Sequence, residues 1–162
     1  MEHTACFTGH RSYQGDYDEA LREAVRSLYD EGYRTFMCGM AVGFDLSAGE
    51  AVLALGSELT DIRLVAVVPF EGAELKFDMS DQERFHTILR RADKVITLAP
   101  RYSVEVYSVR NNFLVDNSSA TIAYFDGSKG GTAYTVRRAI KRLHRYINLY
   151  KGPQLELFGS KR

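Results

Sequence analysis

The chain has 162 residues, of which 45% are hydrophobic, and it carries 21 Lys and Arg against 21 Asp and Glu. This length and composition are those of a globular domain with a sizeable core, and they exclude the disordered, collagen-like and disulfide-rich classes. The zero formal net charge argues against a protein that coats nucleic acid through bulk charge, because such binding depends on Lys and Arg at the phosphates.

Short apolar runs alternate with amphipathic stretches along the chain, a pattern that predicts strands alternating with helices. The predicted strands are 5–8, 35–38, 62–68, 94–98, 120–125 and 146–150. Capping pairs predict helix starts at Asp16 with Glu19 and at Ser80 with Glu83, and Thr132 is the predicted N-cap of the last helix. Asp45 is one candidate N-cap of the helix over 46–55. Strict alternation predicts a parallel sheet with right-handed crossovers.

The predicted fold is therefore an α/β, Rossmann-like three-layer sandwich: a mostly parallel sheet of about six strands with helices on both faces. We expect one ligand-binding domain over residues 1–151, followed by a tail over residues 152–162 that begins at Gly152-Pro153. Cys6 and Cys38 lie in apolar runs and are expected to be reduced core thiols. With no recognisable signal peptide and no run of the ~20 apolar residues that span a bilayer, we expect a cytoplasmic protein without a membrane partner.

Three loops that follow predicted strands are rich in glycine. Ligands of open α/β sheets lie outside the carboxyl ends of the strands, where glycine opens the backbone N–H groups and a helix N-terminus adds positive charge, a combination that suits phosphate. The alternative is that these glycines only end strands and cap helices. We expect an anionic, nucleotide-like ligand, and the loops supply the candidate residues Thr8, Gly9, His10, Arg11, Gly39, Gly43, Asp45, Gly130, Gly131 and Thr132.

The predicted helix before the fifth strand carries further candidates. Arg110 and Asn111, near its start, are expected to face the same edge, where a guanidinium grips phosphate bidentately. Asp116, at its other end, remains open between a ligand-binding residue and one that ends the helix. Asp45 is likewise open between ligand contact and helix capping, and His10 has no recognisable catalytic partner. No metal-ligand cluster or Gly-x-Gly-x-x-Gly fingerprint occurs, so neither a metal site nor a standard dehydrogenase is predicted.

Read in order, these segments resemble the SLOG superfamily, and most closely its YpsA-like branch. They are also similar to the Rossmann-like domain of the DNA-processing protein DprA and, more distantly, to LOG-type phosphoribohydrolases. The resemblance covers about residues 3–150 and rests on Cys6-Phe7-Thr8-Gly9-His10-Arg11, Gly39-Met40-Ala41-Val42-Gly43-Phe44-Asp45, Pro69-Phe70-Glu71, Arg110-Asn111 and Gly130-Gly131-Thr132-Ala133-Tyr134-Thr135.

The resemblance implies binding of a nucleotide or a nucleotide-derived molecule, such as an NAD or ADP-ribose derivative, by these loops; no cofactor is certain. It also leaves a homo-oligomer open. One departure concerns catalysis. Thr135 stands where LOG-type enzymes carry a central glutamate, and a threonine neither stabilises an oxocarbenium ion nor acts as a general base at neutral pH. The sequence therefore leans against an enzyme of that mechanism, although a nucleoside-phosphate or NAD glycohydrolase remains an alternative.

A third hypothesis is a DprA-like, DNA-associated accessory protein. The tail segment Gln154-Leu155-Glu156-Leu157-Phe158 resembles the peptide by which bacterial replication proteins bind the DNA sliding clamp, with Gln154, Leu155, Leu157 and Phe158 as its contacts. The alternative is that its apolar side chains pack on the protein's own surface. The predicted basic helix over 132–145 would add a weak nucleic-acid contact, although such a helix is more often a solvated face.

Overall fold

Six strands form one sheet in a computed structural model that describes residues 2–152. The strands are β1 (Thr4–Gly9), β2 (Thr35–Cys38), β3 (Arg63–Val68), β4 (Lys94–Thr97), β5 (Ala120–Tyr124) and β6 (Arg145–Asn148). Their order is β4-β3-β2-β1-β5-β6 and every neighbouring pair is parallel. The Rossmann-like prediction is confirmed, and among the described residues the sheet is parallel throughout.

Helices cover both faces of this sheet. They are α1 (Asp18–Asp30), α2 (Phe44–Leu55), α3 (Met79–Arg91), α4 (Val106–Asp116) and α5 (Gly131–Lys141), and a short 3₁₀ helix, Ala73–Lys76, was not predicted. Alternate residues of each buried strand pack on opposite layers: Phe7 joins the core beneath α1, α2 and α3, whereas Cys6 joins the core beneath α4 and α5. This alternation explains why the central strands have no polar face.

The helices begin at positions that the sequence did not indicate. The N-cap positions of α1, α2 and α5 are Tyr17, Gly43 and Gly130, none with a side-chain cap, and α3 is capped by Asp78, whose carboxylate accepts from the Asp81 backbone N–H at 2.8 Å. Positive-φ glycines set the starts of α2 and α5, whereas α3 does use a preferred capping side chain, but two residues earlier than predicted. The predicted starts are therefore wrong for Asp16 with Glu19, Asp45, Ser80 with Glu83, and Thr132.

Three further expectations concern the end of the last helix, the cysteines and a membrane-spanning segment. The last helix ends at Lys141 and not at residue 145, because Leu143 takes a left-handed φ of 61° and turns the chain into β6. Cys6 and Cys38 are free, buried thiols on the neighbouring strands β1 and β2, as predicted, and burial raises the pKa of Cys6. Within residues 2–152, no helix has the length and hydropathy to cross a membrane.

Candidate functional site

A cavity of about 450 Å³ opens at the carboxyl edge of the sheet. It lies where the strand order reverses, because β1 is followed by β2 on one side and has β5 on the other, which leaves a crevice between the two loops. Ten of the predicted residues line it: Thr8, Gly9, His10, Arg11, Asp45, Arg110, Asn111, Gly130, Gly131 and Thr132.

Two glycines allow the loop after β1 to lie against the start of α2. A Cβ on Gly9 would stand 2.4 Å from the Phe44 ring, so only glycine lets Phe44 pack on the end of the strand. Gly43 has φ +81°, and a Cβ there would stand 2.4 Å from the carbonyl oxygen of Arg11. Gly43 is absent from the cavity lining. Its role is to support the Arg11 backbone from behind.

Arg110 is the most deeply buried cation of the site, with only 5% of the residue exposed. Its Nη1 donates to the carbonyl of Gly39 and its Nε donates to Asn111 Oδ1 at 2.8 Å. Gly39 leaves the room for this side chain, because a Cβ there would stand 2.8 Å from Arg110 Cδ. Among residues 2–152 no carboxylate lies within 4.0 Å of the guanidinium, so Arg110 makes no direct ion pair there.

Asp45 lies within the first turn of α2, 6% exposed, and its carboxylate accepts from the backbone N–H of Ala41 at 3.2 Å. It thereby fixes the loop after β2. Burial raises the pKa of Asp45, while the nearby charges of Arg110 and Arg11 and the Ala41 N–H oppose that rise. Burial likewise lowers the pKa of Arg110, against the charge of Asp45. Each charge therefore reduces the pKa shift that burial causes in the other, without a direct ion pair between them.

Tyr107 forms part of the cavity wall and contacts both arginines. Its ring centre lies 5.3 Å from Cζ of Arg11 and 5.7 Å from Cζ of Arg110, within the range of cation–π attraction. Tyr107 and Arg110 are three residues apart on α4, which places them on one helix face. The attraction of both guanidinium groups to the ring therefore partly offsets the repulsion between them.

The opposite wall is the N-terminus of α5. Gly130, at the N-cap position, has φ +138°, and the first turn of the helix leaves backbone N–H groups without intrahelical acceptors. Lys129 lines the cavity beside them. Thr135 does not face the cavity: it is fully buried, and its hydroxyl donates to the Gly131 carbonyl at 2.9 Å. This wall offers N–H donors and positive charge to an anion.

His10 has a partner that the sequence did not reveal. Its Nε2 lies 2.8 Å from Asp126 Oδ1 and 3.1 Å from the backbone nitrogen of Asp126. A protonated Nε2 donates to the carboxylate, whereas an unprotonated Nε2 accepts from the N–H, so the pair has two hydrogen-bonded states. The Asp126 carboxylate also accepts from the backbone N–H and the hydroxyl of Ser128, which lowers its pKa against the opposing effect of burial.

Asp116 lies away from the cavity, at the other end of α4. Its carboxylate pairs with Arg138 at 2.9 Å and with Arg142 at 3.1 Å. Helix α4 runs antiparallel to the strands, so its first turns reach the carboxyl edge of the sheet while its last residue lies at the opposite edge. Asp116 therefore joins α4 to α5, and of the two roles left open for it the structure supports the one at the end of the helix.

Sequence reasoning missed four polar side chains at or beside the cavity: Ser12, Tyr107, Asp126 and Lys129. Ser12 and Lys129 stand within or next to predicted loops, so a wider reading of those loops would have included them. Tyr107 stands three positions before Arg110, the helical spacing that places both on one face. Asp126 follows the fifth strand, but its contact with His10 spans 116 positions and no local pattern indicates it.

Comparison with solved structures supports the fold. DNA processing protein A from Streptococcus pneumoniae matches 90% of this chain at a TM-score of 0.66 and 16% identity, and this chain spans 49% of that protein's length. DNA processing protein A from Helicobacter pylori, from a study of its single-stranded DNA binding mode, matches 88% at a TM-score of 0.64 and 17% identity, over 63% of its own length. At these identities the likeness is one of fold.

Curated relatives match over most of the chain. A UPF0398 protein of Bacillus thuringiensis is 28% identical over 144 residues, covering 84% of this chain and 78% of the relative. Another, from Bacillus velezensis, is 27% identical over 127 residues, covering 76% and 70%. The family model YpsA, described as the YspA SLOG family, matches residues 6–151, and the chain belongs to that family.

Proposed function

We propose that the protein binds a nucleotide or nucleotide-derived ligand through its phosphate groups in the cavity at the carboxyl edge of the sheet. The observation that carries this proposal is Arg110, a guanidinium 5% exposed that lines the cavity without a carboxylate within 4.0 Å among residues 2–152. A desolvated guanidinium without a direct ion pair is unfavourable even with Asp45 nearby, and a bound phosphate would supply that direct partner.

The remaining charges around the cavity favour the same ligand. Arg11 and Lys129 flank the opening, and the N-terminus of α5 adds unpaired N–H groups. The two carboxylates at the site already have protein partners: Asp45 accepts a hydrogen bond from the Ala41 N–H, and Asp126 contacts His10 and Ser128. Family membership supports a nucleotide- or DNA-associated role in general, and within it nucleoside phosphates, ADP-ribose and NAD derivatives are the ligands we propose.

Calorimetry with AMP, ADP-ribose, NAD and cyclic nucleotides tests the proposal. We expect saturable binding by the wild type and a loss of at least about 10-fold in affinity for Arg110→Met, because a charged hydrogen bond contributes about 1.5–3 kcal/mol. Arg63→Met is the matched control, since Arg63 is exposed at the opposite end of β3. No binding across the panel, or equal losses in the two variants, would contradict the proposal.

The pairing of His10 with Asp126 favours a second candidate, an enzyme that hydrolyses the bound nucleotide derivative. A histidine with two hydrogen-bonded states beside an anion site is a fitting general acid or base. Chromatography of nucleotides incubated with the protein tests this candidate. Turnover that falls at least about 100-fold in His10→Gln while binding persists would support it, and unchanged nucleotides after long incubation would rule it out.

The DNA-associated candidate draws on α5 and the tail. Arg138 and Arg142 are paired with Asp116, and Arg145 lies in β6 paired with Glu31, which leaves Arg137 and Lys141 as the exposed cations of α5 itself. This pairing reduces the charge available for phosphate contacts. Binding to single-stranded DNA that weakens with salt, and more steeply in wild type than in Arg137→Ala, would support the candidate.

The clamp peptide, Gln154 with Leu155, Leu157 and Phe158, lies outside the described residues and stays a prediction. A synthetic peptide of the tail titrated with purified sliding clamp tests it: micromolar or tighter binding that is lost when Phe158 is replaced by alanine is expected. Self-association and a cytoplasmic location also stay predictions, the first open to sedimentation analysis and the second to cell fractionation.

A further inference from the structure

Two aromatic rings that the proposed phosphate site does not explain, Phe70 and Tyr102, form a cluster with Tyr107 of the cavity wall. The ring centres of Phe70, Tyr102 and Tyr107 are 5.8 to 6.3 Å apart in all three pairings. Tyr107 forms part of the cavity wall, whereas Phe70 and Tyr102 lie outside the lining and adjoin it through Tyr107. The cluster therefore extends the site from the arginines towards solvent.

The rings come from three separate segments of the carboxyl edge. Phe70 follows β3, Tyr102 lies in the segment between β4 and α4, and Tyr107 is in the first turn of α4. A backbone hydrogen bond of 3.1 Å from Glu71 N–H to the Ala99 carbonyl joins the first two segments. The cluster is thus held by the scaffold near the ends of the strands, the edge at which ligands of this fold lie.

Tyr102 is 55% exposed, so more than half of this large side chain faces solvent although the ring belongs to an aromatic cluster. The planes of the three pairs meet at 57° to 75°, so no two rings of the cluster stack face to face. Tyr102 therefore retains surface on which another flat ring can stack. Arg11 Cζ lies 5.3 Å from the Tyr107 ring centre, which lies 6.3 Å from the Tyr102 ring centre. One nucleotide can span this separation, with its phosphate at Arg11 and its base at Tyr102.

We propose that Tyr102, supported by Phe70, is the stacking platform for the base of the nucleotide whose phosphate lies at Arg11 and Arg110. This inference rests on the proposed function and deepens it, because it assigns the ligand class as one that carries an aromatic base. Stacking on an aromatic side chain tolerates any base, so the platform selects nucleotides over base-free sugar phosphates without selecting among bases.

The test compares AMP with ribose 5-phosphate, two ligands that share a phosphate and a sugar and differ by the base. We expect the wild type to bind AMP more tightly, and Tyr102→Ala to weaken AMP binding by about 10-fold with little change for ribose 5-phosphate, because only AMP loses a stacked base. Tyr102→Phe should keep the preference. Val104→Ala is the control in the same segment, since Val104 is 80% exposed and carries no ring.

The outcomes separate the two proposals. If both ligands bind and Tyr102→Ala affects them equally or not at all, the platform is wrong while the phosphate site stands. If the wild type binds neither of these ligands, nor ADP-ribose, NAD or a cyclic nucleotide, both proposals fall. Tighter binding of oligothymidylate than of AMP, lost in Tyr102→Ala while AMP affinity is kept, would assign the ring to a nucleic-acid strand and overturn the mononucleotide platform. Thermal unfolding of each variant checks that the fold is intact.

Discussion

At the scale of single residues, Gly43 and Gly131 show that the glycines of one site meet different demands. Gly43 combines φ +81° with a Cβ position 2.4 Å from the Arg11 carbonyl oxygen. At Gly131 the nearest atom to an added Cβ is Asn111 Nδ2 at 3.8 Å, an ordinary contact. The first glycine is required by the backbone, whereas the second only leaves space beside the cavity.

We therefore expect Gly43→Ala to lower the free energy of unfolding by more than about 1 kcal/mol, because a side chain at positive φ and a backbone clash both oppose it. Gly131→Ala should leave stability within about 0.5 kcal/mol and weaken ligand binding, since the methyl enters the cavity. Urea unfolding and calorimetry on both variants measure these effects. Similar stabilities for the two variants would contradict the assignment.

Asp45 gives the protein a pH dependence of defined sign. Burial raises its pKa in the folded state, so between the unfolded and folded values the native state holds more protons. Stability associated with this carboxyl therefore falls as pH rises through that window, with a slope of at most about 1.4 kcal/mol per pH unit.

Asp45→Asn removes that titration and retains an oxygen for the Ala41 N–H. The stability of this variant relative to wild type should increase from about pH 4 to about pH 7, because only the wild type loses stability over the interval. Urea denaturation at both values measures it. The exposed carboxylate variant Asp30→Asn is the control, and a parallel course for Asp45→Asn and wild type would show that Asp45 carries no such shift.

At the scale of elements, helix α4 contributes side chains at both edges of the sheet, to the cavity at one and to an ion pair with α5 at the other. Its first turns present Tyr107 and Arg110 to the cavity, and its last residue, Asp116, binds Arg138 of α5 at 2.9 Å. The hydrogen bond from Arg138 lowers the pKa of Asp116. Stability from this carboxylate is therefore present at neutral pH and is lost as pH falls through its folded pKa, opposite in sign to Asp45.

Asp116→Asn should lower the free energy of unfolding by about 0.5–1 kcal/mol at neutral pH, a modest value because the pair is partly exposed. The deficit should vanish in acid, and affinity for the nucleotide ligand should not change. Denaturation at several pH values together with calorimetry provides both readouts. A loss of ligand affinity at unchanged stability would return Asp116 to the site.

The elements also show what the sequence can and cannot predict. The strands were predicted within one or two residues because apolar runs such as 35–38 coincide with buried pairing. The helix starts were not, because Gly43, Gly130 and the Tyr13 hydroxyl at 3.0 Å from the Tyr17 nitrogen replace the expected capping side chains. The glycine loops indicated the cavity, whereas Asp126 comes to the site through a contact 116 positions away.

At the scale of the whole molecule, residues 2–152 contain a six-stranded sheet with helices on both of its faces. We propose the domain boundary there. A chain ended after Gly152 should keep its unfolding free energy within about 0.5 kcal/mol and its nucleotide affinity, while losing any clamp binding. Urea unfolding of the shortened and full chains measures it, and a large loss of stability would place the tail within the domain.

The cavity depends on the pairing of a strand near the start of the chain with one near the end of the domain. Its two walls follow β1 and β5, which pair from Ala5 with Ala120 to Gly9 with Tyr124, so the site depends on a contact between segments that are distant in the sequence. A partly folded chain without this pairing has no binding site. A ligand of this cavity therefore stabilises, by mass action, the states in which β1 and β5 are paired, and its binding reports that this distant pairing has formed.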